Sequence, residues 1–300
     1  MRYVLCLAFL LPLVALPAPR NRPRARKPAE QSAPLGPVIE WRQKTRLPDP
    51  SLEVDENQVR DVVRAKLIES IRPRSAWVIP SMTLITPSAY GAEWTEIFAG
   101  LGVENRARFN TVPNSTFHLG LGIGDAEVVA LETALTSYGT VRHGPPFTIG
   151  GVSLKLHRSF NEIGFAAAIG YENAIVWGTP DSGQSYFVVV SKYFLLRDDL
   201  ADFGSILTLH AGLGDGRFRL ESDVREQTQP FRPFGAVGLR LFQPLSMILN
   251  WTGSDLALGV SIAPFRATQL AITFAAVDLA HIAGDGERQI LAVSYAYSWR

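Results

Sequence analysis

The chain has 300 residues, with 29 basic and 28 acidic side chains, so its formal charge is close to neutral. A nucleic-acid-binding protein normally has a strongly basic face, and this balance argues against that class. The length allows one large domain or two modest ones, each with a sizeable core. The apolar residues occur in short stretches among Gly, Ser and Thr, without a long apolar run after residues 1–20.

Residues 1–18 have the pattern of a secretory signal peptide. Arg2 is followed by an apolar run over 3–16 and then by small and Pro residues. The run is shorter than the roughly 20 residues that a spanning helix needs. Cys6 is the only cysteine and lies in this segment, so the mature chain has no thiol for a disulfide, a cysteine-based metal site or catalysis. A buried N-terminal strand is the alternative interpretation.

Two further segments precede the main domain. Residues 19–54 are rich in Pro and Arg, which predicts a mostly disordered linker because such a stretch buries little apolar surface. Residues 55–93 are predicted to be a periplasmic helix and lead-in, since Asp55 can cap a helix that Arg72 and Pro73 end. The helix could lie in the periplasm, insert into a barrel as a plug, or dock elsewhere.

From Trp94 onward the apolar residues recur with period two, which is typical of β-strands. In 117–123, for example, the apolar side chains alternate with His118 and glycines. The pattern predicts about twelve strands. They are expected near 94–103, 116–124, 127–136, 149–157, 162–172, 185–195, 205–213, 233–242, 246–252, 255–263, 268–276 and 289–299.

The same alternation fits a closed barrel or a soluble sandwich. The face opposite the apolar one carries mainly Gly, Ala, Ser and Thr, and small side chains suit the lumen of a narrow barrel better than a water-exposed face. The connections also alternate between short and long, as in outer-membrane barrels; 196–204 and 252–254 are exceptions. The sequence therefore predicts an all-β fold, an antiparallel transmembrane β-barrel over 94–300.

This fold predicts where the protein resides and what it contacts. An even strand count places both termini in the periplasm and the barrel in the outer membrane, reached by way of the signal peptide. The expected partners are outer-membrane lipid and the barrel-assembly machinery, without nucleic acid; no cofactor is expected, and a soluble partner cannot be named. In the last strand Tyr295, Tyr297 and Trp299 share one face, as an interfacial aromatic girdle would.

Several segments resemble an uncharacterised family of cyanobacterial outer-membrane barrel proteins. The resemblance covers about 87–299 and rests on turn and strand motifs. These motifs are 87–94, 153–158, 212–218, and 250–253 through 264–266. The resemblance implies the fold and the location and does not imply a particular activity.

The titratable residues of the small-residue face are candidates for lining the lumen. They are Glu96, His118, Glu132, Lys155, His157, Glu172, His210 and Arg240. Glu132 and Lys155 are expected to pair inside the barrel, about one diagonal apart in register. Such residues could form a buried polar network that satisfies the interior, or a constriction that selects solutes by charge.

Catalytic and metal-binding motifs do not emerge from the sequence. It has no Gly-x-Ser-x-Gly motif, and its histidines are scattered without metal-ligand spacing. The leading hypothesis is a non-enzymatic barrel, either a narrow pore or an accessory to envelope or polysaccharide export. The alternatives are a secreted β-sandwich that binds carbohydrate and a barrel enzyme with a site in loops 173–184 or 214–232. Twelve strands leave a wide channel only if the interior is underfilled.

Overall fold

The computed structural model describes Arg60 and most of the chain from residue 80 onward. The described ranges are 80–139, 147–179, 183–199, 202–265, 268–282 and 284–299. The predicted signal peptide and linker lie outside them, as does the predicted helix of 55–71 except for Arg60.

Twelve antiparallel strands form one closed barrel in this part of the chain. They are β1 (Glu96–Glu104), β2 (Asn114–Asp125), β3 (Val129–Tyr138), β4 (Gly150–Phe160), β5 (Phe165–Trp177), β6 (Ser185–Leu195), β7 (Ile206–Gly214), β8 (Arg232–Phe242), β9 (Leu245–Trp251), β10 (Leu256–Ile262), β11 (Gln269–Val277) and β12 (Arg288–Ser298). Every predicted strand is confirmed, with ends shifted by a few residues.

The barrel closes because the first strand pairs with the last as well as with its neighbour. Glu96 lies opposite Ser298, and the β1–β12 ladder continues to Glu104 opposite Ile290. The sandwich that the same alternation allows does not form, because a sandwich needs two separate sheets and here one sheet returns to its own first strand.

Strand alternation separates the two faces of the barrel wall. On β1, Ile97 and Leu101 point outward and are exposed, whereas Phe98 is buried inside. The inward face is crowded with small residues, as on β2, where Gly120 and Gly122 are buried. The apolar residues therefore cover the outside of this molecule, the reverse of a soluble barrel.

The two ends of the barrel differ in the length of their connections. The short-turn end has 126–128, 161–164, 243–244 and 263–268, with 196–205 as its longest connection. The long-loop end has 105–113, 139–149, 178–184, 215–231 and 278–287, with 252–255 as its shortest. Because the start of β1 pairs with the end of β12, the chain enters and leaves the barrel at the short-turn end.

Apart from Arg60, which is helical, the described helical structure lies in connections between strands. A short helix, α1 (Glu221–Arg225), lies in the loop 215–231, and single 3-10 turns cover Asn161–Ile163 and Gly216–Phe218. Among the described residues, helices long and apolar enough to cross a membrane do not occur.

Candidate functional site: the occupied lumen

Residues 80–93, which we call the lumen segment, run inside the barrel before β1 begins. At its start, Ser81 accepts a hydrogen bond from Ser246 Oγ (2.6 Å) and donates its N–H to Ser261 Oγ (3.0 Å), both near the short-turn end. At its finish, the Trp94 N–H donates to Gly124 O (2.9 Å), again near the short-turn end. The segment therefore enters the lumen, turns and leaves by the same end.

The turn of the lumen segment is anchored by one buried amide. Asn250, near the long-loop end of β9, is fully buried. Its Oδ1 accepts the consecutive N–H groups of Leu84 (3.1 Å), Ile85 (3.0 Å) and Thr86 (3.2 Å). Thr86 Oγ1 donates to the same oxygen at 3.2 Å. Converging backbone N–H groups form a concave site for an electronegative atom, and here the barrel wall supplies that atom.

An arginine from the longest loop holds the same turn from the other side. Arg217 forms a two-point ion pair with Glu172, with Nη2 to Oε1 at 2.7 Å and Nε to Oε2 as the second contact. Its Nη1 donates to Ile85 O at 2.5 Å. A planar guanidinium can satisfy a carboxylate and a carbonyl together, so Arg217 ties strand, loop and lumen segment to one another.

The returning part of the segment lies on a charged pair of the wall. Glu132 and Lys155 are directly opposite on β3 and β4, not diagonal, and their Oε1 and Nζ atoms are 2.9 Å apart. Glu132 Oε2 accepts the Ala92 N–H (2.8 Å), and Lys155 Nζ donates to Tyr90 O (2.9 Å). The expected pair therefore forms, and each charge also satisfies the backbone of the lumen segment, as buried charges require.

Two histidines complete the polar contacts on this side. His157 Nε2 lies 2.9 Å from Ala92 O, and because a carbonyl only accepts, Nε2 carries the proton. Ser191 Oγ accepts the Ala89 N–H at 2.9 Å and lies 2.7 Å from His210 Nδ1. His210 thereby positions a serine that binds the lumen segment.

Wall glycines make room for the segment. A Cβ at Gly122 would lie 2.2 Å from the Ala92 carbonyl carbon, and one at Gly238 would lie 2.9 Å from Met82 Cβ. Real Cβ atoms do not approach other heavy atoms this closely. The small residues on the inward face therefore accommodate the lumen segment instead of leaving an open channel.

An apolar cluster fills the space beside the segment. Phe218, from the loop 215–231, is fully buried and stacks on Phe234 with ring centroids 4.2 Å apart. Phe187 contacts both rings edge-on, and Ala89 belongs to the same buried cluster. The long loop therefore folds its own side chains into the lumen and helps to hold the segment there.

A cavity of about 430 Å³ remains on the side of the lumen segment that faces β11, β12, β1 and β2. Its lining includes Thr116, His118, Glu132, Lys155 and Thr273. His118 lies against Gly100, where an added Cβ would be 2.4 Å from the imidazole ring. The free space in the lumen is thus bordered by charged and hydroxyl side chains as well as by apolar ones.

The structure spreads the eight lumen candidates of the sequence along the inward face and does not gather them into one site. Glu132, Lys155 and His157 meet at residues 90–92 of the lumen segment: Glu132 and His157 bond to Ala92, and Lys155 bonds to Tyr90 O. The other placements are Glu96, which accepts the Glu93 N–H (3.2 Å); Arg240, which donates to Gln243 O (2.8 Å); Glu172 at Arg217; His210 at Ser191; and His118 at the cavity.

Sequence reasoning missed the residues that anchor the turn and the entry of the lumen segment. None of Asn250, Ser81, Ser246 and Ser261 is among the lumen candidates of the sequence, although Asn250 lies in the motif of 250–253. Each of these contacts joins residues more than 160 positions apart in the chain. Strand periodicity shows that Asn250 points inward, and a buried polar group on a narrow lumen wall was the available signal.

The three aromatic residues expected to form a girdle point outward. Tyr295, Tyr297 and Trp299 are all exposed, and Trp299 packs edge-on against Trp94 with ring centroids 6.4 Å apart. Tyr295 and Tyr297 lie on β12 toward the short-turn end, and Trp299 directly follows that strand; Phe160 is also exposed at this end.

Ion pairs tie the loops together at the long-loop end. Arg106 Nη1 donates to Asp285 Oδ1 at 2.8 Å. Burial raises the pKa of Asp285, but the hydrogen bonds from Arg106 and the Phe109 N–H outweigh it and leave that pKa below its ordinary value. In the loop 215–231, the hydrogen bond from Arg232 is the main cause of a lowered pKa at Asp223.

The likeness of this chain to known proteins is one of solved structures. Neither a protein-family model nor a curated protein matches the chain. Among solved structures, the chain is similar to a KdgM porin in complex with disordered oligogalacturonate, with 11% identity, a TM-score of 0.42, and coverage of 68% of this chain and 99% of that one. A mutant Rh. blastica porin gives 9% identity, a TM-score of 0.30, and coverage of 67% and 99%. At these values the likeness carries no argument about function.

Proposed function

We propose that this chain is a non-enzymatic outer-membrane β-barrel that acts as a narrow pore, with the lumen segment as its internal plug. The observation that carries the proposal is the outward face of the barrel. That face exposes large apolar side chains on strand after strand, for example Leu119, Leu121, Leu249 and Val260. Soluble monomers rarely expose so large a contiguous apolar surface, and a bilayer would cover it.

The aromatic residues and the connections at the two ends of the barrel also support a place in the outer membrane. Aromatic side chains are exposed toward the short-turn end at Trp94 and Tyr297, and toward the long-loop end at Tyr186 and Phe231. Aromatic girdles at the two interfaces flank the apolar band of outer-membrane barrels. Long loops in such barrels face the exterior and short turns face the periplasm. In this orientation both termini are periplasmic, which agrees with export by a signal peptide over 1–18.

The occupied lumen supports a restricted passage. Asn250, Arg217 and the Glu132–Lys155 pair hold the lumen segment inside the barrel, and a cavity of about 430 Å³ remains beside it. Small ions would cross beside the segment, and larger solutes would cross when the segment leaves its anchors. An accessory role in polysaccharide export would use the displaced state, in which the space taken by the lumen segment is free.

The first experiment compares two arginine substitutions at exposed apolar positions. Leu119 is at the middle of β2 on the outward face, and Val128 is in a short turn. An arginine at the bilayer midplane costs about 2–4 kcal/mol, and one near the interface costs about 0–1 kcal/mol. We expect Leu119→Arg to lower the yield of folded protein in the membrane fraction, and Val128→Arg to leave it unchanged.

The readout is gel mobility with and without boiling. Wild-type protein extracted from membranes should migrate differently when unboiled, because a closed barrel resists detergent until it is heated. A protein that is recovered from the soluble periplasm without a mobility shift, and that tolerates both arginine variants equally, contradicts the membrane assignment.

A further inference from the structure

The outward face of the barrel has a groove across β4 to β7 that differs from the rest of the apolar surface. Its volume is about 670 Å³. One row across the strands pairs Arg158 with Ala167, Ala167 with Val190, and Val190 with Ala211. The hollow forms because Ala167 and Ala211 have small side chains. Larger side chains of the next row, including Ile169 and Leu213, line it.

Two cations stand at the short-turn end of this groove. Arg158 on β4 lines it, and Lys192 on β6 is two residues from the lining residue Val190. Both point outward, because their neighbours His157 and Ser191 bond to the lumen segment inside. Among the outward-facing side chains of the described strands, these two are the only basic ones, and within the described residues neither has a carboxylate at ion-pair distance.

The two cations are held in place by aromatic rings. The Arg158 guanidinium carbon lies 4.9 Å from the centre of the Phe160 ring, and Lys192 Nζ lies 5.3 Å from the centre of the Phe194 ring. Cation–π contacts at these distances are attractive. They keep both charges on the barrel surface at the level of the aromatic girdle, where lipid headgroups lie.

We propose that this groove binds one anionic glycerophospholipid, with its phosphate between Arg158 and Lys192 and an acyl chain along Ala167 and Ala211. The proposal rests on the membrane placement proposed above. Charge complementarity favours a lipid over a second copy of the chain, since a second copy that presented this same face would bring like charges together. A second hollow of about 390 Å³ shares Leu156, Ile169 and Val188 with the groove. It extends the apolar path for the chain toward the stacked Tyr171 and Tyr186, whose ring centroids are 4.1 Å apart.

The test is native mass spectrometry of detergent-purified, full-length protein titrated with phosphatidylglycerol or with phosphatidylcholine of identical acyl chains. Only samples that show the unboiled mobility shift are used. We expect tighter binding of phosphatidylglycerol. A basic residue near an anionic headgroup contributes enough for about a fivefold change in affinity, so Arg158→Gln should weaken binding about fivefold and the double variant with Lys192→Gln about 30-fold. Arg197→Gln, in a connection at the same end, should have no effect.

A second pair of variants tests the groove itself. Ala167→Leu fills the hollow and should weaken binding of both lipids, whereas Ala99→Leu, on the outward face of β1 far from the groove, should not. Equal binding of the two lipids, or an anionic preference that survives the double variant, overturns the proposal. A dimer that Ala167→Leu dissociates overturns it in favour of a second copy. A protein absent from the membrane fraction refutes the membrane placement, whereas an inserted barrel without lipid preference refutes only the lipid site.

Discussion

Replacing Asn250 by leucine should release the turn of the lumen segment. Leucine has a similar size but offers no acceptor, so the N–H groups of Leu84, Ile85 and Thr86 lose their common partner. An unsatisfied buried donor costs about 1–3 kcal/mol. Water in the lumen can replace part of the loss, so we take the lower end and expect about 3 kcal/mol for the three groups.

Because 1.4 kcal/mol corresponds to a factor of ten, the released state should become roughly 100-fold more populated. Two assays follow this population. Hydrogen exchange at the amides of 84–86 should accelerate by about the same factor, and the open probability in planar bilayers should rise.

Asn250→Asp is the matched control. Aspartate keeps an acceptor oxygen for the three N–H groups and gives up only the hydrogen bond from Nδ2 to Gly235 O (3.3 Å), so exchange at 84–86 and conductance should rise much less than in Asn250→Leu. If Asn250→Leu leaves both exchange and conductance unchanged while the barrel remains folded, the turn is not held by Asn250 and the reasoning is refuted.

Two further substitutions test the packing of the lumen segment and the tie of the long loop. Gly122→Ala should destabilise the barrel by about 1–3 kcal/mol through overpacking against Ala92, and this should lower the urea midpoint of unfolding. Gly102→Ala is the control, because the atom nearest to its added Cβ would be 4.0 Å away. Equal urea midpoints for the two variants would contradict this packing. The Asp223–Arg232 pair lowers the pKa of Asp223 below its ordinary value of 3.8, so its contribution is present above that pH and is lost as the pH falls through the lowered pKa. Asp223→Asn should therefore make the loop 215–231 more sensitive to trypsin at neutral pH. Unchanged cleavage would show that the Asp223–Arg232 pair does not stabilise this loop.

The strands could be predicted from the sequence because their pattern is local. A side chain's face on a strand follows from position alone, so Leu119 and His118 could be assigned to opposite faces without knowing their neighbours. The short turns then predicted which strands pair as neighbours, and the alternation of short and long connections predicted how the two ends of the barrel differ. The pairing of Glu132 with Lys155 followed in the same way, although the register was direct and not diagonal.

The contents of the lumen could not be predicted in this way. Residues 80–93 have neither helical nor strand periodicity, and their contacts join them to strands far along the chain, as with Leu84 and Asn250. The glycines of the inward face predicted a narrow interior. The sequence does not reveal that residues 80–93 occupy the space that these glycines leave free. Only the closed barrel brings Gly238 beside Met82.

Disulfide crosslinking in native membranes tests the internal plug most directly. A Cβ at Gly238 would lie 2.9 Å from Met82 Cβ, so a small shift brings a Met82→Cys/Gly238→Cys pair to the roughly 3.5–4.5 Å of a disulfide. With Cys6 replaced by serine, we predict an efficient crosslink that lowers conductance until a reductant is added. We predict no crosslink for Met82→Cys with Ala99→Cys, because Ala99 is on the outward face of β1. A folded barrel in which the first pair does not crosslink, or in which the crosslink leaves conductance unchanged, would contradict the account.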